Sequence, residues 1–82
     1  MQMATPLDLL EKNINQAVFV TLKPGMWVRG ILRSYDKYLN LVLDESEEII
    51  HDPETEKTDT RRLGSLIVRG DNVVSITPVK QL

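Results

Sequence analysis

The tetrapeptide Arg69-Gly70-Asp71-Asn72 lies between two apolar runs, Leu66-Ile67-Val68 and Val73-Val74-Ser75-Ile76. Short β-branched runs flanking Gly and Asn read as strands joined by a turn. A second polar turn, Asp36-Lys37-Tyr38-Leu39-Asn40, stands between two further such runs. Alternation of apolar and polar positions places strands over residues 17–22, 26–35, 39–50, 59–69 and 72–77, since side chains on a strand point to opposite faces with a period of two. Lys23-Pro24-Gly25 is a turn signal that folds the first two strands into a hairpin. Gly30 interrupts the second strand, and a glycine there marks a sharp bend or a close backbone approach. Ahead of the strands, Thr5 is a suitable N-cap and Pro6 suits the first helical position. Leu7, Leu10 and Ile14 recur at helical spacing, so a short amphipathic helix is expected over residues 6–13.

The pattern therefore specifies a mostly β chain: a short N-terminal helix, then a strongly bent five-stranded antiparallel sheet that forms a small open barrel. Residues 1–82 read as a single domain. A core of that size is marginal, and self-association is a common way to bury more apolar surface. The fifth strand is short, apolar and poorly guarded by charge, so it invites pairing at a sheet edge. There is no cysteine, so disulfides and thiolate metal sites are excluded. No apolar stretch approaches the length of a membrane span, and the N-terminus lacks the basic start and apolar stretch of a signal peptide. A cytoplasmic protein is expected.

The formal net charge of −2 argues against a generic nucleic-acid binder carrying a basic stripe. The charge is uneven, however. Residues 44–59 hold eight of the twelve acids but only one of the ten Lys and Arg, leaving four acids against nine cations elsewhere. The acidic segment reads as a solvated loop rather than a binding site.

The two polar turns together offer a flat aromatic ring (Tyr38), a directional amide (Asn40) and a planar cation (Arg69). This is the equipment for holding one flipped-out nucleobase, with Tyr38 and Arg69 on its faces and Asn40 on its edge. The sandwich requires two hairpin bends to meet. An Asn amide can donate to a carbonyl and accept from an imide N–H, which suits uracil. Asp36 and Asp71 are acidic and read as groups that orient the Asn40 turn and Arg69. Gly70 reads as a position whose backbone angle is closed to other residues, and Asn72 as the cap of its turn. Lys37 adds weak electrostatic attraction.

With these residues in place the chain resembles the Sm-like (Lsm) family, archaeal type. One motif spans Val18 to Leu43 and includes Leu22-Lys23-x-Gly25, Gly30-x-Leu32, Asp36-x-Tyr38-x-Asn40 and Leu41-x-Leu43. The other is Leu63-Gly64-x-x-x-Val68-Arg69-Gly70-x-Asn72-Val73. The resemblance covers residues 6–78. It implies the Sm fold and a homo-oligomeric ring, most often a heptamer, closed by pairing the fourth strand of one subunit with the fifth of its neighbour. It also implies binding of single-stranded uridine-rich RNA around the inner rim, with a scaffold or chaperone role in RNA processing. Tyr38 departs from the pattern, because archaeal members often carry His there. The ring needed for stacking is kept and a titratable group is lost.

An enzyme is not expected, since no nucleophile–base pair, metal cluster or phosphate loop appears. No cofactor is expected either. His51, the sole histidine, lacks companions for a zinc site. The alternative to RNA binding is a protein–protein interaction module using the barrel edges or the acidic segment. Trp27 shares a strand face with Arg29, Ile31 and Arg33. That face offers a lateral RNA surface in one reading and a partly buried aromatic braced by arginine stems in the other, which is preferred.

Overall fold

The structure, a computed structural model, describes residues 5–79. The order of elements is α1 (Pro6–Lys12), β1 (Ala17–Leu22), β2 (Met26–Tyr35), β3 (Leu41–Asp52), β4 (Lys57–Val68), a single 3₁₀ turn (Gly70–Asn72) and β5 (Val73–Pro78). Helix α1 starts at a capping box. The Thr5 hydroxyl accepts from the Asp8 N–H and the Asp8 carboxylate accepts from the Thr5 N–H, both at 3.1 Å. Those bonds, the backbone one first, hold the Asp8 carboxyl below the usual range. They also satisfy two of the amide donors that a helix start leaves open.

All strand pairs are antiparallel and the sheet order is β4-β3-β2-β1-β5. The sheet bends along a line of small residues. A Cβ on Gly30 would lie 3.0 Å from Ser46 Cβ and 3.2 Å from the Asp44 carbonyl. Ser46 is fully buried, pairs with Gly64 across to β4, and its hydroxyl donates to the Gly64 carbonyl. Glu45 and Gly64 have left-handed φ angles of 49° and 72°, and the strand register shifts on both sides of β3 here. Such irregularities increase local twist and bend a strand. Bending lets the inward-facing Val18, Val20, Leu22, Val28, Leu32, Leu41, Leu43 and Val68 close over Leu10 of α1 as one core.

Strand ends shift by one or two residues from the sequence reading, β3 running to Asp52, β4 from Lys57 to Val68 and β5 from Val73 to Pro78, and four further features differ. Strand β3 begins at Leu41, not residue 39, because Leu39 is held at φ 65° inside the preceding turn. The acidic segment is not a loop. Most of it lies in β3 and the start of β4, and only the tip between those strands is a turn. Its acids meet arginines from other parts of the chain: Glu48 with Arg61 at 2.8 Å, Asp44 with Arg33 at 3.5 Å, and Glu47 with Arg29. Counting cations within the segment misses these cross-strand partners. The Arg69–Asn72 segment does not form a hairpin. Strand β5 pairs with β1, so the 3₁₀ turn carries the chain from one edge of the sheet to the other. Finally, α1 ends at Lys12 with Asn13 as its C-cap.

Candidate nucleic-acid interface

The 36–40 turn is built around one carboxylate. Asp36 Oδ1 accepts from the Tyr38 N–H at 2.9 Å and the Asn40 N–H at 3.1 Å, and Oδ2 accepts from Asn40 Nδ2 at 2.9 Å. These bonds hold the Asp36 carboxyl below its ordinary range, led by the Asn40 side chain; Lys37 adds a smaller pull in the same direction. Hydrogen bonds to the ionised form favour that form. The Leu39 N–H donates to the Asp36 carbonyl at 3.1 Å, and the left-handed Leu39 completes the reversal.

The second turn packs directly on the first. The Gly70 N–H donates to Asn40 Oδ1 at 2.7 Å. A Cβ on Gly70 would sit 1.8 Å from the Tyr38 carbonyl oxygen and 2.9 Å from the carbonyl carbons of Tyr38 and Leu39. The glycine is thus required by a close approach, not by a left-handed backbone as expected from the sequence; its φ is not among the positive ones. Asn72 contributes through its backbone. Its N–H donates to the Arg69 carbonyl at 3.0 Å and its carbonyl accepts from the Lys23 N–H at 2.9 Å.

This network fixes the Asn40 amide. Its oxygen faces a donor, the Gly70 N–H, and its nitrogen faces an acceptor, the Asp36 carboxylate. Flipping the amide would oppose donor to donor and oxygen to oxygen. One amide hydrogen and one lone pair remain uncommitted by these two bonds. Tyr38 is 68% exposed. Arg69 is exposed at the start of the 3₁₀ turn, and its Nη2 donates to Asp71 Oδ2 at 3.1 Å. A carboxylate bound at the edge of a guanidinium leaves its flat faces open. Tyr38 and Arg69 therefore project from two turns whose backbones touch. Sequence reasoning gave no hint that the Lys37 ammonium lies over the Tyr38 ring, 5.2 Å from its centroid.

Other candidates stand apart from this site. Trp27 is 49% exposed. Arg29 lies over Phe19, 6.0 Å from the ring centroid, and pairs with Glu47. His51 is exposed, with Nδ1 3.4 Å from the Thr58 hydroxyl. Among the described residues no group of three His, Cys, Asp or Glu is placed to hold a metal ion, and no helix is long and apolar enough to cross a membrane. A groove of about 500 Å³ runs between α1 and β5, lined by Pro6, Leu9, Leu39, Val74 and Ile76 among others. It is mostly apolar and borders an edge strand, so it suits packing against protein rather than holding a nucleotide.

With that geometry in view, residues 8–78 match the LSM domain model, and the chain belongs to this family. An snRNP Sm-like protein of Methanococcoides burtonii is 45% identical over 73 residues, covering 89% of this chain and 94% of that one. Among solved structures, a heptamer from P. aerophilum superimposes with a TM-score of 0.83 at 39% identity, covering 98% of this chain and 100% of that chain. The Pyrococcus abyssi Sm protein in complex with a uridine heptamer gives 0.75 at 41% identity, covering 92% and 99%.

Proposed function

We propose that this chain forms a closed homo-oligomeric ring, a heptamer, that binds single-stranded uridine-rich RNA at its inner rim. It acts there as a non-enzymatic scaffold or chaperone in RNA processing, in the cytoplasm. Each subunit holds one uracil between Tyr38 and Arg69, with Asn40 at the base edge and Asp36, Gly70 and Asp71 fixing the turns. The observation that carries this reading is the lock between the turns, the Gly70 N–H bonded to the Asn40 oxygen at 2.7 Å.

The sheet edges support assembly. Strands β4 and β5 are the terminal strands, and they carry Ile67, 77% exposed, and Val74, 59% exposed. Unpaired apolar edges favour pairing with another chain, and ring closure leaves none exposed. The heptamers among the solved relatives support the same arrangement.

Magnitudes require the ring. One stacked base contributes about 1–3 kcal/mol, too little for useful affinity from a single subunit. A ring presents the pocket repeatedly to one strand, so later bases bind at high effective concentration. Every copy adds a formal charge of −2, so bulk electrostatics oppose RNA and base contacts must give the preference. Titration of the assembled protein with heptauridylate and heptaadenylate tests this. The uridine oligomer is expected to bind more tightly by at least about tenfold, or about 1.4 kcal/mol. Equal affinity for both would remove the uracil pocket and leave the protein-interaction module as the better reading.

A further inference from the structure

We propose that Lys37 is a phosphodiester-binding residue beside the base pocket, an inference that rests on the pocket described above. Four charged side chains stand on the two turns: Asp36, Lys37, Arg69 and Asp71. Three are already committed. Arg69 and Asp71 pair at 3.1 Å. Asp36 is turned onto three N–H donors of its own turn. Lys37 is exposed, and among the described residues it forms no salt bridge.

Its ammonium is nonetheless held in place, 5.2 Å from the Tyr38 ring centroid. A cation over an aromatic face is attracted by the ring's quadrupole, and that contact uses none of the three N–H donors on the ammonium nitrogen. The arrangement has two consequences. One face of Tyr38 is covered by Lys37, so a base stacks on the other. A strand that places a base there must carry its phosphodiester round the ring's edge, and Lys37 is the cation on these two turns that has no carboxylate partner and so can meet it. Without Lys37 the two turns carry a net charge of −1 and repel the backbone whose base they hold.

The test compares Lys37→Met with Lys57→Met, which removes the same charge at the far end of the β3–β4 hairpin, where Lys57 stands opposite Asp52 in the strand register. Heptauridylate affinity is measured for the assembled wild type and both variants between about 50 and about 200 mM salt. Each phosphate contact contributes about 0.7 to the slope of log affinity against log salt for a single strand. Across that range wild-type binding should therefore weaken by about 2.6-fold more, per contact, than binding by Lys37→Met. Lys57→Met should keep the wild-type slope, and all three should keep their preference for uridine over adenosine. A heptauridylate with an uncharged methylphosphonate backbone should bind wild type and Lys37→Met equally. An unchanged slope in Lys37→Met overturns the proposal, as does an equal loss in Lys57→Met, which would mark a bulk charge effect. Loss of base preference in Lys37→Met also overturns it, because Lys37 would then serve only to pose the tyrosine. If the wild type shows no uridine preference, the base pocket itself fails and this inference falls with it.

Discussion

Gly70→Ala is expected to abolish oligouridine binding and to destabilise the fold by about 1–3 kcal/mol, the usual cost of forcing extra volume into a packed site. The added methyl group would lie 1.8 Å from the Tyr38 carbonyl oxygen and 2.9 Å from two carbonyl carbons. All three neighbours are backbone, so no side chain can swing aside. One turn must move off the other, which breaks the 2.7 Å bond from the Gly70 N–H to Asn40. The turns that carry Tyr38 and Arg69 are then no longer held together, and the proposed uracil pocket is lost. Denaturant unfolding and heptauridylate titration of the same variant check both halves. Wild-type stability with wild-type affinity would show that the turns are not locked as described.

Arg69→Ala is expected to lose binding without loss of stability, in an assembly that stays intact. The Arg69 side chain is exposed, and its bond to Asp71 is its one side-chain hydrogen bond among the described residues. Truncation therefore leaves the core and the turn-to-turn bond untouched. In the proposed pocket it removes one of the two stacking planes at every subunit. A stacked base is worth about 1–3 kcal/mol, so each site weakens by roughly five- to 150-fold, and the deficit repeats along a strand bound at several sites. Size-exclusion chromatography should show the wild-type assembly, and titration with heptauridylate should show no saturable binding. Retained affinity would remove Arg69 from the pocket.

The strand pattern was legible because a half-buried sheet writes itself as alternation. Val18, Val20 and Leu22 all face the core, as do Leu41 and Leu43. The bend was legible from Gly30, but not its full line, since nothing local marks Ser46 as its buried partner on β3. The start of β3 was misplaced because Leu39 continues the apolar alternation while adopting a left-handed angle, which leucine rarely does. The acidic segment looked like a loop because its compensating cations, Arg29, Arg33 and Arg61, are distant in sequence and arrive only through strand pairing. At the site, residue types and spacing gave the candidate side chains Tyr38, Asn40 and Arg69. They did not indicate why Gly70 is glycine. A φ requirement and a steric one look identical in sequence, and only the contact with Tyr38 separates them. The dual use of Asn40, bonded both to Asp36 and to Gly70, was likewise invisible until the turns were brought together.

The most direct test is a crystal structure of the assembled protein with heptauridylate. It should show one uracil per occupied subunit, with one ring face on Tyr38, the other on the Arg69 guanidinium, and its O4 and N3 edge toward the Asn40 amide. A strand lying elsewhere on the ring, with Tyr38 and Arg69 both facing solvent, would contradict the account.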